Sequence, residues 1–365
     1  MSSERRYEPA LDALRACAVL AVAWCHWAPN HQYGIPFGFG VDLFFVLSGY
    51  LITSILLDIR HARDRGHGLA IFYARRALRI FPAYYMTMAV AAIFGVTIVR
   101  DTWKWDVTYL SNVLTFLQSR WPDAISHWWS LAVEEQFYLL WPCIIVFAPR
   151  RLLLPLLAVA IASAPIFRGW LAARGHPVEF TNLLIPGSLD CLGAGSLLAF
   201  AGSAPRPVTI ARARLWIFAS LILGATATIV VWRDVIALEV TAQTFATALF
   251  VEMISRAAAG LKGSAATVLL AEPVVYLGRI SYGFYLIHNF APSILRTACV
   301  PFGISVLEIP PAVRLLLMFG ISTGLASLSW HFMEEPINDL KRQLPYRQAT
   351  SRAPFRSAAL PSALG

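Results

Sequence analysis

The sequence predicts an all-α fold, a polytopic transmembrane helical bundle of ten spans with both termini in the cytoplasm. Three observations lead there. Of 365 residues, 58% are hydrophobic and only 14% charged, where a soluble protein carries about a quarter charged residues. Apolar runs close to the ~20 residues a bilayer requires recur from end to end. The breaks between them are short, basic or rich in Pro and Gly, so each run satisfies its backbone internally as a helix.

The expected spans, in order, are residues 10–28, 40–57, 80–99, 129–148, 152–172, 183–202, 214–232, 235–254, 274–297 and 312–332. The run 183–202 is interrupted by Pro186, Asp190 and several glycines, and a tight turn at Arg233-Asp234 joins 214–232 to 235–254. Ten spans put both ends on one side. One set of loops holds Arg5, Arg6, Arg60, Arg63, Arg65, Arg75, Arg76, Arg79, Arg150, Arg151, Arg206, Arg212, Arg256 and Lys262, together with the tail from Lys341 to Arg356. The opposite set holds Arg100, Lys104, Arg120, Arg168, Arg174 and Arg233. Basic loops stay inside, which places the termini in the cytoplasm of a multi-pass protein of the inner membrane. Orientation thus accounts for much of the net charge of +9, and no nucleic-acid partner is expected.

Asp12 and Arg15 interrupt the first apolar run and no small-x-small site follows, so it is expected to be retained rather than cleaved as a signal peptide. The five cysteines, Cys17, Cys25, Cys143, Cys191 and Cys299, are scattered and suggest neither a disulfide framework nor a metal site. Residues 1–340 read as one membrane domain and 341–365 as a basic, disordered cytoplasmic tail. No appended soluble domain is expected, because the longest outer loop, about 100–128, is too short for one.

Within the first span, Arg15 and His26 are eleven positions apart, about three helical turns, and so share a face. Asp12, three positions before Arg15, can pair with it. Ionisable groups in a span are costly and usually mark function. His26, about 24 Å above the helix start, falls in the outer half of the bilayer and has the chemistry of a general base or acid. The bland alternative is an interfacial His in an aromatic belt beside Trp24 and Trp27.

In Ile71-Phe-Tyr-Ala-Arg-Arg-Ala-Leu-Arg-Ile-Phe-Pro, helical spacing clusters Arg75, Arg76 and Arg79. Guanidinium groups bind phosphate in a two-pronged way, although ordinary positive-inside anchors would look the same. Asp42 and Ser48 open the second span, where a carboxylate is expensive and Ser48-Gly49 permits close approach of a backbone or ligand. Glu134 and Glu135 lie one turn into the fourth span, about 100° apart, so one can pair with an Arg while the other faces a cavity. Late in the chain Tyr282, Tyr285 and His288 fall at three-residue steps as a polar stripe, and Glu335 precedes Pro336 where the last span ends. His288 reads as a hydrogen-bonding partner before it reads as a second catalytic His. The chain has no P-loop, His-Glu-x-x-His, Gly-x-Ser-x-Gly or nicotinamide fingerprint.

Six segments in order resemble the acyltransferase family 3 of membrane O-acyltransferases. They are Leu-Asp-Ala-Leu-Arg with His26 beyond it, Gly-Val-Asp-Leu-Phe-Phe-Val-Leu-Ser-Gly-Tyr-Leu-Ile-Thr, Phe-Tyr-Ala-Arg-Arg-Ala-Leu-Arg-Ile-Phe-Pro-Ala, Trp-Ser-Leu-Ala-Val-Glu-Glu-Gln-Phe-Tyr-Leu, Ile-Ser-Tyr-Gly-Phe-Tyr-Leu-Ile-His and Glu-Glu-Pro. They cover residues 7 to about 340. The resemblance implies transfer of an acyl group, acetyl most commonly, from acyl-coenzyme A to a hydroxyl of a glycan or other sugar-containing acceptor, without a metal. It implies His26 as general base, Arg15 and Asp12 holding the catalytic helix, Arg75, Arg76 and Arg79 receiving the coenzyme A phosphates, and Glu335 as the acidic residue before Pro336. Asp42, Ser48, Glu134, Glu135, Tyr282 and His288 are then substrate-side candidates. Two departures stand out: Ala13 replaces the family's usual Gly, and the Pro expected soon after His288 is displaced to Pro292. The rival expectation is a transporter or flippase using the buried Arg, His and Glu as a proton relay, against which stands the lack of an internal repeat.

Overall fold

The computed structural model describes residues 8–28, 37–202 and 207–346, and among them every regular element is helical. Of the expected tail, 341–365, residues 341–346 are described, beginning within a 3-10 turn over Leu340–Gln343, and the remainder lies outside the described residues. The helices are α1 (Pro9–Trp27), α2 (Gly40–His61), α3 (Arg65–Ile93), α4 (Thr97–Val107), α5 (Ser111–Gln118), α6 (Trp128–Phe147), α7 (Arg150–Ala173), α8 (Leu189–Gly202), α9 (Pro207–Ala258), α10 (Ser264–Leu269), α11 (Glu272–Arg279), α12 (Ser281–Ile287), α13 (Ala291–Cys299), α14 (Pro311–Ser329) and α15 (Glu335–Asp339). Seven stretches among the described residues are long and apolar enough to cross a membrane: Pro9–Trp27, Gly40–Arg60, Trp128–Phe147, Arg150–Ala173, Ile185–Gly202, Arg214–Val231 and Pro311–Gln343.

Four expected spans take a different form. The run 80–99 is divided, because α3 ends at Ile93 and Gly95, at φ +82°, turns the chain into α4. The runs 214–232 and 235–254 both lie in α9. Arg214 nevertheless bonds Glu252 at 3.1 Å and Ser255 at 2.6 Å, although 38 residues of straight helix would hold Arg214 and Glu252 about 57 Å apart. The element therefore folds back on itself as a helical hairpin. The run 274–297 is broken into α11, α12, a single 3-10 turn at His288–Phe290 and α13. Broken backbone is tolerated at membrane depth where protein or a cavity surrounds it, and α12 lines the cavities described below.

The core is organised around α2, which packs on α8, α6 and α1. A Cβ at Gly49 would lie 2.1 Å from the Leu192 carbonyl oxygen of α8, so Ser48-Gly49 allows the helix backbones to approach closely. On the other side, a Cβ at Gly278 of α11 would come within 1.9 Å of the Asp12 carbonyl oxygen. These two approaches set the positions of α1 and α2, the helices that carry His26, Arg15, Asp42 and Ser48.

Arg168 does not occupy an outer loop as charge counting suggested. It lies in α7, 1% exposed, with Nη2 2.8 Å from Asp190 Oδ2 and a further donation to the Gly187 carbonyl. Asp190, which interrupts the apolar run of the sixth expected span, is its neutralising partner. Removing one member of a buried pair leaves an uncompensated charge and costs about 3–5 kcal/mol. Asp190→Ala is expected to lower the melting temperature of the detergent-solubilised protein sharply, and Arg168→Met with Asp190→Leu to recover most of the loss. Equal melting of both variants and the parent would show that the pair is not structural.

Candidate active site

Two cavities open into the helical body, and most of the candidate residues line one or the other. The first, about 910 Å³ including its open mouth, is lined by Arg15, Arg76, Arg79, Ser48, Glu134, Glu135 and Tyr282. The second, about 1510 Å³ on the same measure, is lined by His26, Asp42 and His127. Val41 and Tyr285 line both, so the two cavities share a thin wall. Arg15 and His26, read from the sequence as one aligned pair, share α1 but open into different cavities, about 16 Å apart along the helix.

In the first cavity Arg15 pairs with Asp12 on its own helix, as the three-residue spacing requires. Arg76 and Arg79 have no carboxylate within ion-pair distance among the described residues. The Arg76 guanidinium rests 5.3 Å over the Tyr138 ring, a contact that orients the group while leaving its donors available. Glu134 accepts from Ser48 Oγ at 2.8 Å and from Tyr138 at 2.9 Å. Glu135 lines the same cavity, although an angle of 100° between neighbours suggested separate surroundings; the space is broad enough to meet both. Arg75 turns away. It donates to the Leu344 carbonyl at 3.0 Å and sits 5.0 Å over the Tyr346 ring, tying the chain beyond α15 to α3.

In the second cavity His26 occupies the last turn of α1, where the helix dipole favours a cation. Its Nδ1 lies 2.9 Å from His288 Nε2, and His288 Nδ1 lies 2.7 Å from the Tyr285 carbonyl. A carbonyl only accepts, so His288 carries its proton on Nδ1 and, when neutral, offers a lone pair at Nε2. His26 then donates from Nδ1, which leaves the lone pair of neutral His26 on Nε2. Trp27 fixes the His288 backbone by donating to its carbonyl at 3.0 Å. The expected stripe is retained across the break in the helix: Tyr282 lines the first cavity and donates to the Ile80 carbonyl, Tyr285 stands in the wall, and His288 meets His26.

Glu335 lines neither cavity. It is half exposed and 3.3 Å from His331, whereas the preceding Glu334 is buried and accepts from Ser329 Oγ at 2.8 Å. The π-helical turn Trp330–Glu334 shifts the facing by one residue. Reading from the sequence did not single out His127. It lies just before α6, 1% exposed, with its ring centre 4.8 Å from that of His288. Burial first, then the His288 and His26 rings, holds it well below the usual imidazole range. A buried His at the head of a span was the signal available in Ser126-His-Trp-Trp. Ser130, whose hydroxyl is 2.6 Å from that of Tyr285, was likewise visible only as part of a motif. No group of three or more metal-ligating side chains occurs among the described residues.

Comparison with known proteins gives one family and several relatives. Residues 8–331 match the model of an acyltransferase domain. The chain is 32% identical to the peptidoglycan O-acetyltransferase OatA of Listeria monocytogenes and 30% identical to the putative peptidoglycan O-acetyltransferase YrhL of Bacillus subtilis. These alignments cover 91% and 92% of the chain and 56% of each relative, so the chain spans little more than half their length. The O-acetyltransferase OatA of Staphylococcus aureus is 35% identical over 43% of the chain and 29% of its own length. No solved structure matches.

Arg75→Ala removes one hydrogen bond and one cation–π contact, together about 1–2 kcal/mol. Trypsin is then expected to cut at Lys341 and Arg342 faster than in the parent protein, measured by mass spectrometry of the released peptides. An unchanged rate would mean that Arg75 does not hold this segment.

Proposed function

The chain belongs to the family of acyltransferase domains, and on that premise we propose that it is a multi-pass membrane O-acyltransferase acting on a glycan or other sugar-containing acceptor. The donor is acyl-coenzyme A, acetyl in the first instance, presented from the cytoplasmic side of the inner membrane. Ten spans and cytoplasmic termini complete this reading, with α9 supplying two spans and the broken 274–297 segment a third. The observation that carries it is the pair of cavities with a common wall: Arg76 and Arg79, without a carboxylate partner among the described residues, open from one, and His26 from the other. Membership of an enzyme family favours catalysis over transport.

The polyphosphate of the donor suits two guanidinium groups that lack carboxylate partners. Its long pantetheine arm then carries the thioester towards the wall at Val41 and Tyr285. On the other side, His26 Nε2 takes the proton of the acceptor hydroxyl as its oxygen attacks the thioester carbonyl carbon. The new C–O bond forms, the C–S bond breaks, and the proton held by His26 passes to the departing thiolate. His288 accepts from His26 Nδ1 throughout, so it fixes the productive tautomer and steadies the imidazolium without carrying a charge itself. It is a positioning residue in this scheme. Glu134, Ser48 and Tyr138 order the lining of the donor cavity, Asp12 holds Arg15, and Asp42 and Tyr282 are contact points for the acceptor and donor sides respectively. Glu335 remains as a surface residue at the cytoplasmic end, without a step of its own.

Acyl transfer from radiolabelled acetyl-coenzyme A to isolated cell-envelope glycan tests the roles. His26→Ala is expected to lose about 10²–10⁴-fold in rate with donor binding intact. His288→Gln, whose amide oxygen can still accept from His26, is expected to retain more activity and a pH profile closer to the parent's than His288→Phe. Equal activity of the His288 variants would remove the positioning role. Arg76→Ala and Arg79→Ala are each expected to raise the KM for the donor by about 10–100-fold, the equivalent of losing a charge-assisted hydrogen bond, while Arg75→Ala leaves it near the parent value. Wild-type KM in the Arg76 and Arg79 variants would move the donor site elsewhere.

A further inference from the structure

The two cavities differ in charge as well as in position. The one holding Arg76 and Arg79 suits a polyanion. Around the His26 cavity the charged side chains are Asp42, Asp123, Glu179 and Glu239, and neither Lys nor Arg lines it among the described residues. Asp123 and Glu179 are exposed at the mouth, Glu239 is half-buried and Asp42 is buried at 5% exposure. Arg168, buried near Asp42 and Glu239, is already bound to Asp190 at 2.8 Å.

A second observation points to a ligand. His127, at 1% exposure, lines this cavity, and its Nε2 lies 3.2 Å from the Leu286 carbonyl. The carbonyl accepts, so the proton is on Nε2 and Nδ1 keeps a lone pair, for which the described residues supply no partner. A buried acceptor without a donor is costly, and a ligand donor that reached this nitrogen would satisfy it.

We propose that the His26 cavity is an acceptor site that admits neutral or cationic, donor-rich sugars and excludes polyanionic ones. This rests on the acyltransferase reading and adds the class of acceptor to it. An anionic acceptor would surrender its hydration and find no cation in return, which is expensive in a low-dielectric site. A sugar hydroxyl or an amino-sugar ammonium meets acceptors instead, the carboxyl oxygens that line the cavity. The same sorting keeps the coenzyme A phosphates out of the acceptor side and leaves the acyl end to cross the wall alone.

Cys25 lines this cavity and reports its potential without any need for turnover. The full chain in detergent is treated with a cationic trimethylammonium-ethyl or an anionic sulfonatoethyl methanethiosulfonate. The Cys25 peptide is quantified by mass spectrometry, and each rate is divided by that of free cysteine. The cationic reagent is expected to lead by about tenfold or more, as focusing in a one-sign cleft allows. The double variant Asp123→Asn, Glu179→Gln should compress that lead several-fold. Equal normalised rates, a lead that the double variant leaves intact, or no reaction with either reagent would overturn the proposal, since a cavity closed to so small a probe admits no sugar. In parallel, acetyl transfer to oligomers of N-acetylglucosamine, glucosamine and galacturonic acid is compared. Preference for the first two supports the inference, and equal transfer to the galacturonate overturns it while leaving the enzyme reading intact. A charge bias at Cys25 together with failure to acylate any glycan in the envelope assay would count against the enzyme reading alone.

Discussion

A charge inside a membrane bundle must be paired with another charge or face something that will pair with it. That constraint organises this molecule. Arg168 is matched by Asp190 deep in the bundle, and Arg15 by Asp12 at the edge of a cavity that Arg15 itself lines. Arg76 and Arg79 have no carboxylate match among the described residues, and they line a cavity. Carboxyl groups without a lining Lys or Arg collect around the other cavity. The distinction between pairs that close on themselves and groups that open onto space separates scaffold from candidate site more sharply than burial does.

Helix geometry converts the sorting into a path. Helix α1 reaches from one cavity to the other, with Arg15 near one end and His26 in its last turn. The broken segment around α12 does the same from the opposite side, stepping through Tyr282, Tyr285 and His288. A continuous span there would leave every backbone group bonded within the helix. At the break the Tyr285 carbonyl accepts from His288 Nδ1, and through it the tautomer of His26 is set. The local irregularity thus lies at the place where the proposed chemistry needs a defined proton.

What was legible in the sequence was what short-range periodicity carries. The all-helical membrane class, the Asp12–Arg15 pair and the Arg cluster all follow from spacings of three or four residues, and the motif order identified the family. Contacts across long separations were not legible. His26 and His288 are 262 residues apart, and nothing in local pattern couples them, so His288 read only as a general partner. Arg168 was counted as a loop charge because its neutralising carboxylate lies on another helix. The π-helical turn before Glu335 moved the buried position to Glu334, and such a turn has no signature that a regular helical period would register. Whether Glu134 and Glu135 share a cavity depended on its breadth, which packing alone decides.

In the proposed reaction one acyl donor reaches from Arg76 and Arg79 through the wall at Val41 and Tyr285 to His26. The most direct measurement is a cryo-electron microscopy structure of the full chain with an acetyl-coenzyme A analogue in which a methylene group replaces the thioester sulfur. Phosphates are expected within hydrogen-bonding distance of Arg76 and Arg79, and the acetyl carbonyl between Val41 and Tyr285, facing His26 Nε2. Phosphates bound away from both arginines, or an acetyl group held in the arginine-lined cavity behind an intact wall, would contradict it.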